Sequence, residues 1–178
     1  MKNETYNTDF TRAEAYLNNG HLDQAIKEFQ DMIKRFPTDA KCYSKLGACF
    51  ACQKKFKQAK EYIEKAIDLN SKFPESYNNL GNIFLEEKNY KKAVELYEKA
   101  INLNPDYAAA HSNLGLAYKK LNQYDKAVRS FKKAAEIDRK TPTAKVKEIM
   151  NKSKFRINSY FIIFLIIGLI IIWFLFTR

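Results

Sequence analysis

The stretch Tyr77-Asn78-Asn79-Leu80-Gly81-Asn82-Ile83-Phe84 decides the fold, because its pattern returns 34 residues to either side. Upstream it reads Tyr43-x2-Leu46-Gly47-x2-Phe50, and downstream His111-x2-Leu114-Gly115-x2-Tyr118. A second segment keeps the same step: Ala25-x3-Phe29, Ala59-x3-Ile63, Ala93-x3-Tyr97 and Ala127-x3-Phe131. Both segments suit helices, and no stretch in this region alternates with the period of two of a half-buried strand, so the fold is expected to be all-α. A glycine inside an exposed helix costs about 1 kcal/mol relative to alanine, so three at equivalent positions call for close helix contact. Gly81 in one helix and Ala93 in the next are expected to make that contact, with Leu80, Phe84 and Tyr97 filling the space around it. All four prolines (Pro37, Pro74, Pro105, Pro142) fall at or beside joints between units, where a helix must end or begin.

A 34-residue period with aromatic, Leu-Gly, aromatic, Ala, aromatic order resembles the tetratricopeptide repeat (TPR) family. The resemblance covers four units: 6–39, 40–73, 74–107 and 108–141. The first departs from it, with Asp9, Arg12 and Ala13 where the others carry an aromatic, Leu and Gly. It implies a right-handed solenoid of four helix-turn-helix repeats, stabilised by stacking and closed by a cap. Residues 142–155 are expected to supply that cap, with Thr141 as N-cap, Pro142 at the first helical position, and Val146, Ile149 and Met150 as an apolar stripe. The same basic helix also reads as one lying on anionic lipid, and the sequence leaves both open.

Net charge is +11, but it is not evenly spread: residues 139–178 hold eight of the 31 basic residues and one of the 20 acidic ones. Seven of the eight precede the run INSYFIIFLIIGLIIIWFLF, residues 157–176. Twenty helical residues span about 30 Å, the thickness of a bilayer core, so this run is expected to form a single transmembrane helix. Tyr160 and Trp173 sit near its ends, and Lys152, Lys154 and Arg156 place the repeats on the cytoplasmic side. The run stops two residues before the last, Arg178, so a tail-anchored arrangement with insertion after synthesis is expected. Basic residues explained by a membrane flank need no nucleic acid. Met1 to Phe10 is polar, and no targeting signal is expected there.

Cys49 and Cys52 share a helix at C-x2-C spacing, which raises zinc or redox chemistry. Zinc would need a second pair of ligands, and His21 and His111 lie in other units, so Cys42 and Cys49 read as small packing residues and no metal or cofactor is expected. His111 stands where Tyr43 and Tyr77 stand and reads as a packed histidine. No phosphate loop, nucleophile elbow or paired-carboxylate motif is present, so no enzyme and no small-molecule substrate are expected.

The resemblance implies instead a concave face lined by the first helix of each unit, which receives a protein or peptide partner. Family positions carried across give Lys45, Asn78, Asn79, Asn82, Ser112, Asn113 and Lys147 as its lining. Asn79 and Asn113 resemble the asparagine ladder of O-linked N-acetylglucosamine transferases. An amide can donate to a peptide carbonyl and accept from a peptide N–H at once. The carboxylate clamp of chaperone-binding TPR domains is matched only by Asn82, Asn113 and Lys147; Asn78 and Thr143 replace its lysines. The function expected is therefore a non-catalytic membrane-anchored adaptor. The alternatives are an accessory subunit of a membrane enzyme or transport complex, and a remodelling protein similar in layout to the mitochondrial fission adaptor.

Overall fold

The computed structural model describes residues 2–140, and among them every regular element is a helix. In chain order these are α1 (Lys2–Asn18), α2 (Leu22–Arg35), α3 (Ala40–Cys52), α4 (Phe56–Leu69), α5 (Pro74–Glu86), α6 (Tyr90–Leu103), α7 (Ala108–Lys120) and α8 (Tyr124–Lys140). The array, Met1–Ala135, forms one compact unit; of a second, Glu136–Arg178, only the end of α8 is described. The expected cap at 142–155, Lys147 and the apolar run 157–176 lie outside the described residues. Among the described residues no helix is long and apolar enough to cross a membrane.

The helices pair in sequence and then stack: α1 on α2, α3 on α4 and α5 on α6, with the odd helices side by side as an inner row. The starts of α3, α5 and α7, at Ala40, Pro74 and Ala108, are spaced by the 34-residue period. Each turn inside a unit is closed the same way. Gly20, Lys54, Lys88 and Asn122 all have φ between 59° and 78°, and the next residue's N–H reaches back to the last turn of the inner helix, as in Lys55 N to Phe50 O, 2.9 Å, and Asn89 N to Phe84 O, 2.8 Å. This is a left-handed C-terminal cap, for which glycine is the unstrained residue; two of the four turns hold lysine instead.

The repeated glycines answer to the packing of the helix that follows, against a ring at two of them and against Ile63 at the third. A Cβ on Gly81 would lie 2.6 Å from Cε1 of Tyr97, and one on Gly115 would lie 2.8 Å from the Phe131 ring. At Gly47 it would lie 2.5 Å from Ile63 Cγ1 and 2.9 Å from the Ala59 carbonyl oxygen. The sequence paired Gly81 with Ala93. Tyr97, one helical turn beyond Ala93 and among the residues expected to fill the space around the contact, is the side chain that lies over Gly81. Ala25, Ala59 and Ala93 are fully buried all the same.

The irregular first unit forms a complete helix pair. Ala13, at the glycine position, is fully buried, and Phe10 meets Phe29 edge-on at 5.8 Å between ring centroids. Charges replace the missing aromatic and leucine: Asp9 pairs with Arg12 at 2.9 Å and with Arg35 at 2.7 Å, and Arg12 also reaches Glu28 at 2.7 Å. The hydrogen bond from Arg35 holds the Asp9 carboxyl below its usual range.

Candidate functional site: the inner helix row

The inner row carries polar side chains in register. Positions 34 apart give the lines Thr11, Lys45, Asn79, Asn113 and Glu14, Ala48, Asn82, Leu116. Neighbouring helices are stitched along these lines. Lys45 pairs with Glu14 at 2.5 Å, Asn79 Nδ2 donates to Ser44 Oγ at 3.1 Å, and Asn113 Nδ2 donates to Asn78 Oδ1 at 2.9 Å and to Asn82 Oδ1 at 3.0 Å. The Asn82 oxygen also accepts from Tyr97 Oη at 2.8 Å, joining the row to α6 beneath it. Burial, with the Glu86 charge adding to it, pushes the Tyr97 hydroxyl above its ordinary pKa, so it remains the donor.

This network gives the predicted lining two tasks. Asn78 is 4% exposed and lies under the row with its oxygen taken by Asn113. Among the described residues both Asn113 donors are used, leaving its oxygen; Asn82 keeps its NH2, and Asn79 keeps its oxygen and one N–H. Lys45 and Ser112 are half-buried on α3 and α7. The groups that remain include both donors and acceptors, which suits a peptide backbone.

Sequence reasoning did not find the cleft beside these amides. Between α3 and α5 lies a hollow of about 320 Å³, whose lining includes Ala48, Ala51, Ile83, Asn79, Asn82 and Glu86. A signal existed: the positions equivalent to Ala48 hold Glu14, Asn82 and Leu116, and those equivalent to Ala51 hold Leu17, Leu85 and Lys119. Only α3 has a small residue at both.

The cysteines and histidine fall as packing predicts. Cys42 and Cys49 are fully buried, which pushes both thiols up to about 12, whereas Cys52 is exposed at the cleft. His111 Nε2 lies 2.9 Å from the Pro105 oxygen, and Tyr77 Oη donates to the Ser71 oxygen, 34 residues earlier, at 3.0 Å. The histidine therefore replaces the tyrosine in a bond that fixes the joint between units.

An array of paired helices with this inner row is a TPR domain, an architecture of protein interaction. Five repeat models match: tetratricopeptide repeat at 9–39, 40–73, 62–95 and 108–140, and TPR repeat at 81–122. The chain belongs to the tetratricopeptide repeat family. Among solved structures it is similar to a crystal structure of MamA, at 30% identity over 75% of this chain and 78% of that one, with a TM-score of 0.61. PilF of Pseudomonas aeruginosa, at 24% identity over 79% and 64% of the two chains and a TM-score of 0.68, shares the fold. So does MamA from Desulfovibrio magneticus RS-1, at 22% identity over 75% and 76% and a TM-score of 0.60. No curated protein matches the sequence.

Proposed function

We propose that the protein is a non-catalytic scaffold that holds a protein segment along the inner helix row, and that the apolar run 157–176 confines the complex to a membrane with the repeats on the cytoplasmic side. The observation that carries the binding role is the row of partly used amides beside an open cleft: Asn79, Asn82 and Asn113 keep groups that no described residue takes up after stitching the helices together, and Asn79 and Asn82 line the cleft. The membrane role rests on the sequence of 157–176 and the basic residues before it. Anchoring raises local concentration, so modest groove affinity suffices.

The test is capture of partners from native membranes by the full chain. Replacing Asn82 and Asn113 would cut stitches between helices and confound folding with binding. Ala48→Arg is cleaner, because it fills the groove from a half-buried position, and Leu103→Arg on α6 is its control. Loss of specific partners with Ala48→Arg and retention with Leu103→Arg supports the reading. Equal capture by both moves binding to another surface.

A further inference from the structure

The cleft between α3 and α5 has a shape and polarity that narrow what the groove accepts. Its wall on α3 is low because Ala48 and Ala51 stand where sister repeats carry Asn82 or Leu116 and Leu17 or Leu85. Ile83 and Phe56 complete an apolar lining, and Asn79 and Asn82 border it with free amide groups. Two charges stand at its edge, Lys54 in the turn after α3 and Glu86 at the end of α5; both are exposed, and neither forms an ion pair with another described residue.

We propose that this cleft is a specificity pocket for one branched aliphatic side chain of an extended protein segment, flanked in that segment by an acidic residue on the Lys54 side and a basic residue on the Glu86 side. The inference rests on the groove-binding reading and adds the chemistry of its occupant. An aliphatic group fits because the lining is apolar at its base and the hollow, about 320 Å³, holds a leucine side chain with room for the backbone above it. The flanking preference follows from complementarity: Lys54 and Glu86 have no ion-pair partner among the described residues, and a ligand carrying one charge of each sign supplies both. The neighbouring amides then hold the segment's backbone and set its depth.

The probe is a series of blocked synthetic peptides, Gly-Ser-Asp-X-Lys-Ser-Gly, with X as Gly, Ala, Val, Leu or Phe, and with Asp-Leu-Asp and Lys-Leu-Lys controls. Binding to the full chain in detergent is read by fluorescence anisotropy, and occupancy by protection of the exposed Cys52 thiol from alkylation. Burial of a leucine side chain predicts binding roughly tenfold or more tighter for X = Leu than for X = Gly. Both single-sign controls are expected to bind more weakly than Asp-Leu-Lys, and Cys52 should be protected in the same order. Ala51→Leu and Ala48→Leu copy residues that sister repeats already hold at those places, so they fill the pocket without new chemistry; each should erase the preference for leucine while leaving the thermal melt in place.

Binding without preference for X, or a preference that survives Ala51→Leu, overturns the pocket and leaves the groove reading standing. No binding by any peptide at about 1 mM, the weak limit of specific recognition, together with unchanged partner capture by Ala48→Arg, overturns both. Cys52 alkylation that slows as protein concentration rises, with no peptide present, assigns the cleft to a second copy of the chain and overturns the proposal.

Discussion

Alanine at the three repeated glycines should give three different penalties, in an order set by what each new Cβ meets. At Gly47 it would press on the Ala59 carbonyl oxygen at 2.9 Å, which is backbone, and on Ile63 at 2.5 Å. At Gly81 it would meet Tyr97, whose ring is fully buried and whose hydroxyl is tied to Asn82, so the ring cannot move without breaking that bond. At Gly115 it would meet Phe131, which is 40% exposed and can swing outward. Overpacking costs about 1–3 kcal/mol, and a lost hydrogen bond about 1 kcal/mol. Against these, alanine gains about 1 kcal/mol of helix propensity. Gly81→Ala should therefore lose about 1–3 kcal/mol, Gly47→Ala about 0–2 kcal/mol, and Gly115→Ala should be close to neutral. Urea denaturation followed by circular dichroism, with the midpoints compared at constant slope, gives the three values. Stabilisation by all three, or a largest loss at Gly115, would refute the packing argument.

Four further outcomes are expected. Lys88 has φ of 62°, so Lys88→Gly should stabilise the array by about 1 kcal/mol, and Lys88→Val should lose more than that, both read from the same denaturation curves. At pH 8 iodoacetamide should modify Cys52 alone in the folded protein, since burial pushes Cys42 and Cys49 up to about 12; mass spectrometry of the native protein should find one adduct. Asp9 has a depressed pKa, so its ion pairs contribute fully above the ordinary value of 3.8 and are lost as pH falls through the lower folded value. Hydrogen-exchange protection factors in α1, taken against the unstructured rate at each pH, should fall below about pH 4 in the native protein and show no such acid step in Asp9→Asn. Ile167→Lys with Ile171→Lys should release the chain from membranes into sodium carbonate, because each charge costs about 3 kcal/mol at a bilayer centre; retention would count against the anchor.

The sequence made much of the fold legible because the TPR period is carried by residues with steric reasons to be where they are. Gly81 and Gly115 mark where rings need room, Gly47 where Ile63 and the Ala59 carbonyl do, and Pro74 marks where a helix starts. The turns were less readable. Lys54 and Lys88 do not look like left-handed residues; backbone hydrogen bonding imposes that conformation on whatever the chain supplies. Asp9 and Arg12 depart from the repeat pattern. They are a different solution, with ion pairs to Arg35 and Glu28 replacing ring and leucine packing.

The site was half legible. The resemblance to the family placed Asn79, Asn82 and Asn113 on the inner row, but not their partners, because an amide's bonds depend on neighbours a whole repeat away. Asn78 shared their composition and lies beneath them. The cleft could have been found by asking which repeat carries small residues where the others carry large ones; Ala48 and Ala51 answer that from sequence alone, but only the packed helices give the hollow a wall at Ile83.

Site-specific photocrosslinking in the organism's own membranes tests the central claim most directly, with a photoreactive phenylalanine placed in turn at Ala48, at Leu116 and at Leu103. The account predicts that positions 48 and 116, on the inner row, capture the same protein, and that position 103, on α6, captures none of it. The same adduct from position 103, with none from 48 or 116, would contradict it.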